Sequence, residues 1–356
     1  MKITGLDAWP VTMPLSEPYT IAYETVQAAT NIFIRIKTDG GIVGYGCAAP
    51  DKEVTGETPQ SASHCIDSAI RYHLSGKDPL RFHPLLEEIR HAVPDAPSCI
   101  AAVDMALLDI IGKVSGLPLF MLLGGLRDRI KTSATIGILP TDESVRRARH
   151  WVKRGFTSLK IKGGSDVQAD IERFMKIREA VGEAVDLALD ANQGYTPEQA
   201  LRFLRETGKA RPSYLEQPTP RRDIELMGYV ASLSDVPVMA DESLLTLDDA
   251  ADLARHGIAD MFNVKIMKVG GITASLEIAA VARAFGIGVM VGCMDEAALG
   301  IAAGLHFALA APAVTRADLD GHLPLINDPT AGAVILKEGW LTPAGGPGLG
   351  FDPAGW

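Results

Sequence analysis

Cysteine is scarce in this sequence, and its few copies are scattered. The four cysteines are Cys47, Cys65, Cys99 and Cys293, and none forms a C-x-x-C pair. This spacing argues against a disulfide framework and against a cysteine-ligated zinc site. We therefore expect reduced thiols and, with them, a cytoplasmic protein.

Clustered positive charge and long apolar runs are also lacking. The formal net charge is −10, with no extended run of lysines and arginines, whereas nucleic-acid-binding proteins usually carry a basic patch. The N-terminal residues MKITGLDAWPVTMPL lack the apolar core of a signal peptide. Residues 297–315 are the most apolar stretch, but they are rich in Ala and Gly and contain His306, which favours a barrel helix. We expect neither nucleic acid nor a membrane as a partner.

The first third of the chain reads as an α+β domain, which we assign to residues 1–125. Residues 31–48 alternate apolar and polar residues around an Asp-Gly-Gly turn, which predicts a hairpin. Residues 97–115 predict a helix with Ser98 as its N-cap and Gly116 at its end. The other predicted elements are a strand at 1–14 and helices near 59–75 and 82–92.

From about residue 130, short apolar runs alternate with amphipathic helical stretches. The predicted strands are 132–138, 158–162, 186–192, 214–218, 236–242, 261–266, 288–293 and 316–321. This alternation indicates an α/β fold with a parallel sheet, and the even spacing of the repeats favours closure into a barrel over residues 126–322. An open doubly wound sheet would carry a glycine fingerprint after its first strand, and none is present. Residues 323–356 are rich in Pro and Gly, and we expect them to return to the N-terminal domain.

Ionisable side chains recur at the predicted carboxyl ends of the barrel strands, about one β-α unit apart. In chain order they are Lys160, Lys162, Asp190, Asn192, Glu216, Asp241, Glu242, Lys265, Asp295, Glu296, Asp318 and Asp320. Active sites of such barrels lie at this face. We therefore expect a ring of functional groups around one mouth of the barrel.

Three of these carboxylates suit a magnesium ion. Asp190, Glu216 and Asp241 offer only oxygen ligands, without His or Cys, which is the donor set that Mg²⁺ prefers. Lys162 and Lys265 flank them and would face each other across a metal-held carboxylate. Such a pair could remove and return an α-proton while Mg²⁺ and Lys160 stabilise an enediolate. Crowding by positive charge is expected to lower the pKa of the base.

Five motifs together resemble the enolase superfamily, and within it the muconate-lactonizing-enzyme subgroup, which carries lysine on the second and sixth barrel strands. They are SLKIK, LDANQG, LEQP, MADES and NVKIMKVGGI, and PLSEPYTIAYET and PGLGF extend the resemblance over the whole chain. The resemblance implies an enolase-like fold. That fold is a modified TIM barrel, (β/α)7β, with an N-terminal α+β capping domain whose loops near 15–30 and 50–57 close over the substrate.

The resemblance also implies roles for individual residues. Asp190, Glu216 and Asp241 would bind Mg²⁺, and Lys162 and Lys265 would be the acid/base pair. Lys160 would assist them, and the ligands would be supported from behind by Asn192, Glu242 and Lys268.

The motif RADLDG narrows the activity within the subgroup. Asp318 and Asp320 resemble the Asp-x-Asp pair that binds the substrate α-ammonium in dipeptide epimerases, and alternate positions on a strand point the same way. We therefore expect an Mg²⁺-dependent isomerase that transfers a proton at the α-carbon of the C-terminal residue of an L,L-dipeptide. An o-succinylbenzoate synthase or N-acylamino acid racemase of the same subgroup is the alternative. The complete set of lysines and carboxylates disfavours a non-catalytic binding protein.

Acidic residues around the expected mouth suggest a substrate preference. Glu24 stands where epimerases acting on Ala-Glu carry an arginine, and Asp51 and Asp295 lie in neighbouring loops. Such a mouth would attract cations and repel acidic side chains. We hypothesise a preference for dipeptides with Lys or Arg, with Glu296 and Thr135 also contacting substrate. We expect a homo-oligomer.

Overall fold

The computed structural model describes residues 1–22 and 25–352. The chain begins with an antiparallel sheet of three strands in sequential order. These strands are β1 (Ile3–Thr20), β2 (Thr25–Thr38) and β3 (Val43–Ala48). The hairpin predicted at 31–48 is therefore confirmed, because β2 and β3 pair from Ile32–Ala48 to Lys37–Val43. The predicted strand at 1–14 extends further, to Thr20.

Five helices follow this sheet along the chain. They are α1 (Pro59–Cys65), α2 (Arg71–Leu74), α3 (Phe82–Ala92), α4 (Pro97–Ser115) and α5 (Leu119–Leu122), with a π-helical turn at Ile66–Ile70. α4 lies so close to β3 that a Cβ at Gly44 would overlap the carbonyl oxygen of Ala106. The Ser98 N-cap prediction is wrong, because Pro97 is the first helical residue and Ala96 is the N-cap. The Ser98 amide instead donates to Glu57.

The second unit alternates strands and helices. Its strands are β5 (Ala134–Ile136), β6 (Ser158–Lys162), β7 (Asp186–Asp190), β8 (Leu215–Glu216), β9 (Val238–Ala240), β10 (Met261–Lys265), β11 (Gly288–Gly292) and β12 (Val314–Ala317). Its helices are α6 (Thr141–Lys153), α7 (Val167–Val181), α8 (Pro197–Thr207), α9 (Ile224–Ser232), α10 (Leu247–Arg255), α11 (Ile266–Val269), α12 (Ile272–Phe285) and α13 (Ala298–Ala310), with a 3₁₀ turn at Gly208–Ala210.

The eight strands form one parallel sheet in chain order, and its two edges meet. A parallel bridge joins Thr132 to Ala317, and the Ser133 amide donates to the Ala317 carbonyl at 3.0 Å. Each of the seven strand-to-strand connections is helical. The predicted (β/α)7β barrel is therefore confirmed, together with the α+β unit that precedes it.

The last barrel strand ends earlier than predicted. β12 stops at Ala317, so Asp318 and Asp320 follow the strand and do not lie in it. Beyond this point, hydrogen bonds to side chains take the place of backbone pairing between the two edge strands. The Leu319 amide donates to Thr132 Oγ1, and the Thr135 amide donates to Asp320. These contacts fix both aspartates at the barrel mouth.

The C-terminal segment returns to the first unit, as expected. It forms a hairpin of β13 (Val334–Lys337) and β14 (Trp340–Pro343), and β14 pairs with β4 (Ile130–Lys131). The Leu119 amide then donates to the Gly348 carbonyl at 2.8 Å. The boundaries at 125 and 322 remain a prediction. Across residues 1–22 and 25–352, no helix combines the length and apolarity needed to cross a bilayer.

Asp109 of α4 connects three parts of this assembly. Its carboxylate accepts hydrogen bonds from the Tyr45 amide at 3.0 Å and the Leu349 amide at 2.9 Å. It also pairs with Lys113 at 2.9 Å, and its side chain is only 1% exposed. Removing it would leave two buried amides without this acceptor and the Lys113 ammonium without its counter-ion, which is costly.

We predict that Asp109→Ala lowers the free energy of unfolding by about 3 kcal/mol, measured by urea denaturation. Asp67→Ala is the control, because Asp67 pairs with Arg71 at the surface, where ion pairs contribute little. Equal destabilisation of the two variants would contradict this role for Asp109.

Candidate active site

Three neighbouring strands bring Asp190, Glu216 and Asp241 together. Asp190 ends β7, Glu216 ends β8, and Asp241 follows β9 directly. In the parallel register, Asp190 lies opposite Glu216. All three are buried, and one carboxylate oxygen of each lies within 4.8 Å of the others. The sequence-based grouping of these residues thus matches the fold.

Each of the three carboxylates has one oxygen held by a donor outside the group. The pairs are Asp190 Oδ1 with the Asn192 amide at 2.9 Å, Glu216 Oε1 with Asn263 Nδ2 at 2.6 Å, and Asp241 Oδ1 with Lys268 Nζ at 2.6 Å. Of the remaining oxygens, Asp190 Oδ2 and Asp241 Oδ2 each face a lysine ammonium, that of Lys162 or of Lys265. Glu216 Oε2 is buried and accepts no hydrogen bond from any described residue.

Burial, and after it the charge of the neighbouring Asp190 carboxylate, raises the pKa of Glu216 to about 8. A cation between the carboxylates would reduce the repulsion between their charges and would give the unpaired Glu216 Oε2 a partner. The donor set contains oxygen only, which suits Mg²⁺. The residues present therefore fit the ion predicted from the sequence.

Asn192 and Glu242 lie beside the carboxylates, as expected. Asn192 Nδ2 donates to Glu242 Oε1 at 3.1 Å, and both residues line the cavity. Asn192 has a φ of 41°, in the left-handed region that Asn tolerates better than most residues. This conformation brings its amide to Asp190.

Lys162 and Lys265 approach the carboxylates from opposite sides. Lys162 Nζ lies 2.7 Å from Asp190 Oδ2, and Lys265 Nζ lies 2.8 Å from Asp241 Oδ2. Their strands, β6 and β10, are four apart in a ring of eight, so the two side chains extend towards each other across the barrel. Both line the same cavity.

Lys160 extends into the barrel from the same strand as Lys162. It forms an ion pair with Asp318 and lies 3.6 Å from Glu216 Oε2 and 3.8 Å from Asp190 Oδ2. Burial lowers the pKa of Lys160, but these carboxylates outweigh it and raise the pKa well above the usual value.

Lys265 behaves in the same way. Burial opposes its charge, yet the Asp241 carboxylate raises its pKa above the ordinary range. The lowered pKa was expected for the base of the Lys162 and Lys265 pair beside bound Mg²⁺; with only protein groups around it, the pKa of Lys265 is raised instead. The reason is that adjacent carboxylates outnumber adjacent ammonium groups until a metal ion takes up part of their charge.

Asp318 and Asp320 both line the cavity, but their surroundings differ. Asp318 is buried, forms an ion pair with Lys160 and accepts a hydrogen bond from the Ser133 hydroxyl. Asp320 is half-buried, and its Oδ2 accepts the Thr135 amide at 2.6 Å. Burial, followed by the Asp318 charge, raises the pKa of Asp320 to about 7. Asp320 is thus the more accessible carboxylate for a ligand.

The first unit of the fold covers the mouth of the barrel. Tyr19 Oη donates to Asp295 Oδ2 at 2.7 Å, and Asn31 Nδ2 donates to the Asp295 carbonyl at 3.1 Å. Asp51 lines the cavity, and its Oδ1 accepts amides of its own loop. Glu24 lies outside the described residues.

Glu296 is not brought to the cavity. Its side chain is buried, and a Cβ at Gly300 would lie 2.6 Å from its Oε2. Asp295, one residue earlier, faces the cavity instead. Glu296 therefore lies outside the cavity lining, and its position does not support the predicted contact with substrate.

The cavity above the carboxylates has a volume of about 630 Å³, a size that accommodates a small ligand. Besides the residues above, it is lined by Thr135 and by basic residues of α6, including Arg146 and Arg147. Arg146 pairs with Glu143, and Arg147 pairs with Glu143 and Glu17.

Two residues at the site were missed by sequence reasoning. Asn263 precedes Lys265 by two positions, so the alternation of a strand could have placed both inside the barrel. Tyr19 had no such signal, because its bond to Asp295 spans 276 residues of sequence.

Comparison with known families agrees with this geometry. Residues 4–124 match the mandelate racemase / muconate lactonizing enzyme N-terminal domain, and residues 143–355 match the enolase C-terminal domain-like family. The chain belongs to the mandelate racemase / muconate lactonizing enzyme family of the enolase superfamily. The resemblance inferred from its motifs is thereby confirmed.

Individual relatives are similar over nearly their full length. The L-Lys-D/L-Arg epimerase of Desulforapulum autotrophicum is 41% identical, covering 98% of this chain and 99% of the relative. The L-Ala-D/L-Glu epimerase of Bacillus subtilis is 37% identical, with coverages of 99% and 97%. A solved dipeptide epimerase from Methylococcus capsulatus, complexed with Mg and L-Arg-D-Lys, matches with a TM-score of 0.93 at 36% identity, covering 98% of this chain and 99% of that one.

Proposed function

We propose that this chain is an Mg²⁺-dependent dipeptide epimerase, an isomerase that inverts the α-carbon of the C-terminal residue of an L,L-dipeptide. The observation that carries this proposal is the pair of lysines, Lys162 and Lys265, which line one cavity and are each paired with a member of the buried carboxylate group formed by Asp190, Glu216 and Asp241. Inversion by proton transfer needs one group on each face of the α-carbon. The similarity to dipeptide epimerases at 37–41% identity supports the same activity.

The two lysines would exchange roles during turnover. One lysine, unprotonated, removes the α-proton and becomes an ammonium, and the other ammonium delivers a proton to the opposite face and becomes neutral. Mg²⁺ held by Asp190, Glu216 and Asp241 would supply positive charge for the substrate carboxylate. The Lys160 ammonium, 3.6 Å from Glu216, adds charge where the enediolate oxygens develop.

The aspartates at the end of the barrel favour a dipeptide over the alternative substrates. Asp320 is half-buried in the cavity wall, beside Asp318, and can pair with an α-ammonium. The substrates of o-succinylbenzoate synthases and N-acylamino acid racemases lack that ammonium. They would leave the Asp320 carboxylate without a counter-ion beside the Asp318 charge, which is unfavourable.

We further propose that the preferred dipeptide carries a Lys or Arg side chain. Asp51 and Asp295 line the same cavity, and burial first and the Asp51 charge second raise the pKa of Asp295. A cationic side chain between them would relieve this repulsion. Arg146 and Arg147 do not offset it, because both are already paired with carboxylates.

A homo-oligomer and a cytoplasmic location remain part of the proposal. Several apolar side chains of one segment are exposed by more than a third, which supports association between copies. They are Val114, Leu117, Met121, Leu122 and Leu126. The cysteines are all unpaired, which fits a reducing compartment.

We predict that Lys162→Ala and Lys265→Ala each lower epimerisation by about 10²–10⁴-fold yet keep one half of the proton exchange. In D₂O, each variant should exchange the α-proton of one epimer only, and the two variants should exchange opposite epimers, because one lysine serves each face. Mass spectrometry of both epimers measures this.

Lys176→Ala is the matched control, because Lys176 lies on the surface of α7 and pairs with Glu179. It should epimerise at the wild-type rate. Exchange of the same epimer by both active-site variants would rule out opposed lysines.

For specificity, we predict that kcat/KM is higher for Lys- and Arg-containing dipeptides than for L-Ala-L-Glu. Asp51→Asn and Asp295→Asn should each reduce that ratio by about tenfold, the effect of losing one partly buried ion pair. Asp142→Asn removes an exposed charge away from the cavity and should leave the ratio unchanged. A wild-type preference for L-Ala-L-Glu would discard the cationic preference and keep the epimerase.

A further inference from the structure

We propose that Asn263 is a positioning residue for the metal site, holding Glu216 so that its Oε2 is presented to the cation. This inference rests on the proposed function only in that both need Mg²⁺ bound by Glu216. Asn263 contacts neither the cavity nor a substrate. It would act through the carboxylate alone.

Asn263 and Glu216 meet inside the barrel. Asn263 is fully buried in β10, and its Nδ2 donates to Glu216 Oε1 at 2.6 Å, across the intervening strand β9. A buried carboxylate can otherwise rotate to satisfy both oxygens with nearby donors, and Lys160 Nζ lies only 3.6 Å from Oε2. The amide fixes Oε1 and so determines which oxygen faces the centre.

The neutral character of this donor matters. Asp241 is held by an ammonium, Lys268, which compensates its charge. Asn263 holds Glu216 Oε1 without adding a positive charge, so the cations that compensate this carboxylate must lie on its Oε2 side, where Lys160 Nζ is 3.6 Å away. The backbone carbonyl of Asn263 also accepts a hydrogen bond from Lys268 Nζ at 3.1 Å. Asn263 therefore holds Glu216 directly and also contacts Lys268, the residue that holds Asp241.

The neighbouring strand leaves space for this amide. A Cβ at Gly292 of β11 would overlap Asn263 Oδ1 and lie 2.9 Å from its Nδ2. Gly292 is not one of the glycines with a positive φ. The lack of space for a Cβ, and not the backbone conformation, therefore explains the glycine at this position. Gly292→Ala therefore displaces the amide without changing any polar group, which provides an independent variant.

The test is a calorimetric titration of Mg²⁺ alone into the substrate-free protein. We expect Asn263→Leu, which keeps the volume and removes the donor, to raise the Mg²⁺ Kd by about 10–100-fold, as loss of a residue that orients a metal ligand does elsewhere. Gly292→Ala should raise it in the same direction. Gly288→Ala, at the other end of β11, places its Cβ 3.4 Å from Met261 and should leave the Kd unchanged.

Thermal unfolding of the Mg²⁺-free variants controls for folding. Activity at saturating Mg²⁺ adds a second readout, since a residue that only positions Glu216 should raise the Mg²⁺ requirement and leave kcat within a few-fold of wild type. A folded Asn263→Leu or Gly292→Ala with an unchanged Mg²⁺ Kd would overturn the proposal. The titration uses no dipeptide, so absence of epimerase activity in the wild type would refute the function and leave this test standing.

Discussion

The site depends on one electrostatic constraint, the burial of three carboxylates within 4.8 Å of one another. Buried charges of one sign are unfavourable unless cations accompany them. Lys160, Lys162 and Lys265 each lie within 4 Å of one of these carboxylates, and Lys268 holds Asp241 from behind. This explains why a buried strand, β6, carries two inward lysines. Three of the lysines that neutralise the carboxylates, Lys160, Lys162 and Lys265, also line the cavity.

The remaining structure positions these carboxylates and lysines and covers them. Parallel strands carry the carboxylates and lysines to one mouth, and the antiparallel sheet contributes Tyr19 and Asn31, which bind the Asp295 segment from above. The C-terminal tail connects the first unit to the barrel, because Leu349 contacts Asp109 of α4 and His306 of α13. Lys160, Lys162 and Lys265 are all buried, and electrostatic interactions become stronger where water is scarce.

Much of this arrangement could be predicted from the sequence, and the exceptions have physical causes. The regular spacing of strands, with charges at their carboxyl ends, predicted that the three carboxylates and the lysines meet at one end of the barrel, as they do in the fold. The pKa of Lys265 is raised among protein groups alone, because its direction depends on how many carboxylates lie within a few ångströms. Glu296 turns away although Asp295 does not, because loop conformation after a strand follows no period. Tyr19 depends on a contact between distant segments, which no local pattern reports.

A crystal structure with Mg²⁺ and an L,L-dipeptide would show whether the carboxylates hold the ion and the lysines flank the substrate. We predict the ion about 2.1 Å from one oxygen each of Asp190, Glu216 and Asp241. We also predict the α-carbon of the C-terminal residue between the Nζ atoms of Lys162 and Lys265, each about 3–3.5 Å away. An ion bound elsewhere, or an α-carbon within reach of only one lysine, would contradict this arrangement.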